Sequence, residues 1–85
     1  MNGGCIALWA LRTLLDERGL FFDRMGVLNS DGRRLAARAA RAEARRGSER
    51  ASRILWEFLR DPTLDEALRL LPILEEMCPG GPRAP

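Results

Sequence analysis

An arginine-rich run over residues 31–60 constrains the fold of this chain more than any other stretch. Its apolar side chains share one arc of a helical wheel drawn at roughly 100° per residue, which predicts one continuous amphipathic helix. Such a helix is about 42 Å long, because each residue adds about 1.5 Å. The predicted apolar arc consists of Ala36, Ala37, Ala40, Ala44, Gly47, Ala51, Ile54, Leu55 and Phe58.

The polar side of this predicted helix is strongly basic. Residues 31–60 contain nine arginines and four acidic residues, whereas the whole chain has a net charge of only +2. The chain has neither lysine nor histidine, and the arginine guanidinium is planar, always charged and well matched to phosphate. One predicted stripe contains Arg34, Arg38, Arg41 and Arg45, and the other side of the helix carries Arg46, Arg50, Arg53 and Arg60.

Residues 1–78 are expected to form a single helical domain with a helix on either side of the basic one. The first helix is predicted over about 4–18, with Asn2 as a candidate N-cap and Gly19 as a left-handed C-terminal cap. Residues 20–28 fit either an apolar loop or a short continuation of the first helix. Either Ser30 or Asp31 is expected to cap the long helix.

The third helix is predicted over 63–78. The sequence Asp61-Pro62 ends the long helix, and a capping box from Thr63 to Glu66 opens the next one. Pro72 is expected to kink the third helix. The segment 79–85 is rich in proline and glycine and is expected to be disordered.

The first helix favours a dimer. Apolar side chains occupy most of its wheel, so it must be covered on more than one side. One long helix packed against it in a hairpin covers only one side. The expected fold class is therefore all-α: a helical hairpin with a long basic second helix and a short third helix, dimerising into an antiparallel four-helix bundle.

The sequence gives little support for an enzyme. It shows no nucleophile and base pair, no glycine-rich phosphate loop and no cluster with metal-ligand spacing, so we expect no catalytic residue, metal or cofactor. Cys5 and Cys78 are far apart and fit free thiols in a reducing compartment better than a disulfide. The apolar N-terminal stretch is too short to span a bilayer. We expect a soluble intracellular protein with no membrane partner and no small-molecule substrate.

The basic helix predicts binding to a nucleic acid duplex. A major-groove reader needs mixed polar side chains such as Asn and Gln, and the run lacks both. A single-strand binder needs exposed aromatic side chains, and only Trp56 is available. Duplex RNA, which proteins recognise through its shape, phosphates and 2′-hydroxyls, requires the least base-reading chemistry.

Residues 52–62, SRILWEFLRDP, resemble the end of the second helix in the small dsRNA-binding suppressors of RNA silencing of insect nodaviruses. The shared pattern is Ser-Arg, two apolar residues, three variable positions, Leu, two positions and Pro, and the helix layout is also similar. The resemblance implies a homodimeric four-helix bundle in the host cytoplasm that lies along duplex RNA and shields it from silencing enzymes. By position it implies RNA contacts from Arg53 and Arg46.

Other arginines are added as candidates on different grounds. Arg50 lies between these two on the same predicted face, and charge alone adds Arg34, Arg38, Arg45 and Arg60. The alternatives are a helical protein-interaction module whose basic helix pairs with an acidic helix, and a small helical DNA-binding regulator.

Overall fold

A computed structural model describes residues 5–85, and it is built from helices. The helices are α1 (Ile6–Asp16), α2 (Arg18–Phe21), α3 (Ser30–Arg45), α4 (Glu49–Arg60) and α5 (Leu64–Met77). The described residues contain isolated bridges but no strand. The all-α fold class is therefore confirmed.

The first helix is shorter than the predicted span of 4–18, and Gly19 does not cap it. Cys5 is the N-cap, and its Sγ accepts a hydrogen bond from the backbone N–H of Leu8 at 3.4 Å. Gly19 lies inside the short helix α2, which accounts for part of the undecided segment 20–28. The predicted N-cap Asn2 lies outside the described residues.

A tight turn after α2 leads into α3. The Asp23 carboxylate accepts hydrogen bonds from the N–H groups of Met25 and Val27, at 2.8 and 3.0 Å. Asn29, rather than Ser30 or Asp31, then caps α3 by accepting from the N–H of Gly32 at 2.9 Å. Its side-chain amide also donates to the Leu20 carbonyl at 2.7 Å, so one residue joins α3 to α2.

The prediction of a single helix over 31–60 is wrong, because the chain reverses direction at residues 46–48. Gly47 has a φ of +88°, a left-handed conformation that costs glycine little. The N–H of Ser48 donates to the Glu43 carbonyl at 2.9 Å, and that of Gly47 donates to the Ala44 carbonyl at 3.1 Å. These two bonds form a Schellman motif, which ends α3 and lets α4 pack against it.

The apolar helix α1 is covered within one chain. Helices α3, α4 and α5 all pack on it, because the turn at Gly47 brings two helices rather than one against it. The observation that favoured a dimer is therefore explained by the single chain. The buried residues of α1 are Ile6, Ala7, Leu8, Ala10, Leu11, Leu14 and Leu15.

A carboxylate is buried in this core. Glu43 has no exposed surface, and its Oε2 accepts a hydrogen bond from the N–H of Ala7 at 2.7 Å. Its Oε1 accepts from the guanidinium of Arg46 at 3.0 Å. Because Ala7 lies in the first turn of α1, Glu43 caps a helix N-terminus from a different helix and meets the positive end of its dipole.

The third predicted helix corresponds to α5, which continues through Pro72 as one helix. Pro72 cannot donate a bond to the Leu68 carbonyl, but both residues are exposed, so water can satisfy that carbonyl. Thr63 caps the helix as predicted, accepting from the N–H of Glu66 at 3.1 Å. The Glu66 side chain pairs with Arg69 instead of completing the capping box.

The prediction of two free cysteines is wrong. Cys5 and Cys78 form a disulfide with a Cα–Cα distance of 5.8 Å, which ties the start of α1 to the end of α5.

Backbone hydrogen bonds to Cys5 hold part of the segment 79–85, which was expected to be disordered. The Gly81 carbonyl accepts from the N–H of Cys5, and the N–H of Arg83 donates to the Cys5 carbonyl, both at 3.0 Å. The disulfide brings these backbone groups within reach of one another.

Replacing Glu43 with alanine should lower the free energy of unfolding by about 3 kcal/mol, because it leaves the buried N–H of Ala7 without its acceptor and removes the ion pair with Arg46. Urea denaturation of both proteins measures the difference. Glu76→Ala removes an exposed carboxylate from α5 and should change stability by less than about 0.5 kcal/mol. Equal losses in the two variants would show that the buried carboxylate has no special role.

Gly47→Ala should destabilise the protein by about 1–2 kcal/mol, since an L-residue is strained at positive φ. Gly19→Ala is the matched control, because Gly19 lies in a helix and nothing would contact its new Cβ. That variant should be neutral or more stable by about 0.5 kcal/mol. Thermal and urea unfolding measure both changes in stability. A Gly47→Ala protein more stable than the wild type would contradict the positive φ of Gly47 in this turn.

Reducing the disulfide should lower stability by about 2–4 kcal/mol, because it closes a very long loop and so restricts the unfolded chain. The bonded residues are 73 positions apart. Urea unfolding with and without reductant measures the loss. A Cys5→Ser, Cys78→Ser double variant should match the reduced protein and show no response to reductant. If reductant did not change the stability of the wild-type protein, the disulfide would not be present in it.

Candidate nucleic-acid interface

Four arginines lie along the outer face of α3, and we call them the α3 arginine stripe: Arg34, Arg38, Arg41 and Arg45. They are exposed and lie opposite the buried side of the helix. The stripe spans about 16 Å at about 1.5 Å per residue. The buried side of α3 consists of Gly32, Ala36, Ala39, Ala40 and Glu43.

The remaining candidate arginines do not continue this stripe. Arg50, Arg53 and Arg60 are exposed on α4, which folds back along α3. The outer face of α4 is mixed, because it also carries Glu49 and Glu57. The predicted 42 Å cationic rod is therefore replaced by two shorter basic surfaces side by side, and the longer helix, α3, measures about 24 Å.

Most of these arginines have no acidic partner in residues 5–85. Arg34 is the exception in the stripe, since it pairs with Asp31 at 2.9 Å. The local pairs that the sequence allows, Glu49 with Arg53 and Glu57 with Arg60, do not form in the described structure. Within that structure the arginines without an ion pair or hydrogen-bond partner include Arg38, Arg41, Arg45, Arg50, Arg53 and Arg60.

Arg46 has a structural setting that the sequence analysis missed. It lies in the turn between α3 and α4, and its guanidinium pairs with buried Glu43 at 3.0 Å. The sequence held a signal for this arrangement, because Glu43 follows Ala36 and Ala40 at helical spacing and so falls on the apolar arc. An acid at such a position needs a partner, and Arg46 lies one helical turn further on.

The negative charge is concentrated on α5. This helix packs on α1 and α4 but does not contact α3 in the described fold. The pKa of Glu66 is lowered, first by its hydrogen bond from Arg69, and the same bond raises the pKa of Arg69. The chain is thus electrically polarised, with basic side chains on α3 and α4 and the acids Asp65, Glu66, Glu75 and Glu76 on α5.

Two other kinds of site find no support in residues 5–85. No group of three or more Cys, Asp or Glu side chains in this part of the chain could hold a metal ion. The helices described above also include none with the length and apolar content needed to cross a membrane.

Comparisons with protein-family models, curated proteins and solved structures found no match to this chain. Its functional surfaces must therefore be interpreted from their own geometry and charge.

Proposed function

We propose that this protein binds duplex RNA without sequence preference, through the α3 arginine stripe and the basic side chains of α4. The observation that carries this proposal is that Arg38, Arg41 and Arg45, on the outer face of α3, have no acidic partner within residues 5–85. Exposed cations without local partners attract a polyanion and release its counterions on binding.

The chemistry of this surface suits phosphate rather than bases. The outer face of α3 has neither amide side chains nor aromatic rings, so it lacks the groups that read base edges or stack on single strands. Guanidinium groups form bidentate hydrogen bonds with phosphate oxygens. The preference for RNA over DNA rests on the resemblance of residues 52–62, as does the proposed role of Arg53.

The biological role proposed with this binding is suppression of host RNA silencing in the cytoplasm, by a homodimer that shields duplex RNA. The resemblance supports this role. Within the fold, dimerisation is no longer needed to cover α1.

The disulfide bears on this role, because such bonds are typical of oxidising compartments and the cytoplasm is reducing. A cytoplasmic role therefore requires that α3 and α4 keep their basic surfaces when Cys5 and Cys78 are reduced. Neither cysteine lies on those helices.

Replacing Arg38, Arg41 and Arg45 together with glutamine should weaken binding to a duplex RNA of about 20 base pairs by about tenfold or more. The slope of log affinity against log salt concentration should become shallower by about three units, because each lost phosphate contact reduces that slope by about one unit. Gel shifts over a series of salt concentrations measure both quantities, and several unrelated sequences should behave alike.

The matched control replaces Arg18, Arg24 and Arg83 with glutamine, which removes the same charge from exposed positions outside α3 and α4. It should weaken RNA binding much less. Equal losses in the two triple variants would show that net charge, rather than the stripe, drives binding. Equal affinity for duplex DNA, or no affinity for duplex RNA, would rule out the proposed function.

A protein-interaction module remains the second candidate. Trp56 is 41% exposed on α4 and lines a shallow groove with Ala44, Glu49, Ser52 and Arg53. An aromatic side chain beside an arginine is typical of interface centres. This function would be favoured if the protein bound another protein tightly and did not bind duplex RNA in the gel-shift assay.

A further inference from the structure

A cavity of about 370 Å³ lies between α1, α3 and the end of the chain. Its volume falls within the range of roughly 300–1,000 Å³ that is usual for small-molecule sites. The lining residues are Trp9, Asp31, Arg34, Leu35, Arg38, Ala39 and Pro85.

The lining combines an apolar part with a cationic one. Trp9, Leu35 and Ala39 offer an aromatic ring and aliphatic side chains, and Trp9 and Leu35 are only partly buried. Asp31 and Arg34 neutralise one another through their 2.9 Å ion pair. Arg38 forms no ion pair among the described residues, so its guanidinium is available to an anion in the cavity.

We propose that this cavity binds a small aromatic anion, with its ring against Trp9 and Leu35 and its carboxylate or phosphate on Arg38. Aromatic rings pack favourably against an indole in offset or edge-to-face arrangements. A guanidinium binds either anionic group through paired hydrogen bonds, and Arg34, held by Asp31, lies beside it.

The charge of the site argues against a neutral or cationic ligand. Asp31 supplies the one side-chain carboxylate in the lining, and Arg34 already pairs with it. A cation would therefore meet the Arg38 guanidinium without a free acidic side chain to balance its charge. Binding of the aromatic anion does not depend on the proposed RNA function, because the anion needs only the cavity at one edge of the α3 arginine stripe.

The test uses NMR of ¹⁵N-labelled protein with the Trp56→Phe substitution, which leaves Trp9 as the only indole. The probes are 1-naphthoate, 1-naphthyl phosphate and the neutral 1-naphthalenemethanol. We expect at least one anion to shift the Trp9 indole N–H signal with a saturable curve. The neutral probe should bind about tenfold more weakly or not at all. The stronger anion identifies the preferred head group.

Arg38→Gln should weaken binding of the preferred anion by about tenfold, and Arg38→Lys should recover part of the loss by restoring the charge without the planar fork. The matched control is Arg24→Gln, an exposed arginine outside the cavity, which should bind within about twofold of the parent protein. The spectrum of each variant also reports whether it is folded.

Three results would overturn the proposal. The first is that no probe shifts the Trp9 signal at about 10 mM. The second is that the neutral probe binds as tightly as the anions. The third is that Arg38→Gln and Arg24→Gln lose the same affinity for the preferred anion.

Discussion

The fold depends on one buried carboxylate. Glu43 reaches from α3 to the first turn of α1, and Arg46 balances its charge from the turn that follows. Removing a carboxylate from water is costly, so both of its oxygens need partners. One partner is the N–H of Ala7 on α1, and the other is Arg46, which lies one helical turn after Glu43 at the C-terminal end of α3. Gly47 then reverses the chain at the next residue.

This reversal decides where the arginines lie. A continuous helix would have spread them along one rod, whereas the turn divides them between the outer faces of α3 and α4. It also supplies the extra helix that covers α1, so the apolar core closes within one chain. The core and the basic surface are therefore two results of the same turn. The acidic helix α5 packs on α1 and α4 and does not contact α3 in the described fold.

The sequence predicted the parts of this structure that local chemistry determines. Helical periodicity identified the basic and the flanking helices, and Thr63 marked the start of α5. It did not predict the turn, because a glycine on an apolar arc fits close helix packing as well as a chain reversal. The disulfide was missed because Cys5 and Cys78 are 73 positions apart and meet only through tertiary packing. Of the candidate site, the exposed stripe could be predicted from spacing, but the structural role of Arg46 requires knowledge of the buried Glu43.

The most direct test of the proposed interface is an NMR titration of ¹⁵N-labelled protein with a duplex RNA, observing the backbone amides together with the arginine side-chain N–H groups. We expect the largest shifts on the side chains of Arg38, Arg41 and Arg45 and on the exposed face of α4. The signals of the acidic face of α5 should not shift. Shifts centred on α5, or none on the α3 stripe under saturating RNA, would contradict it.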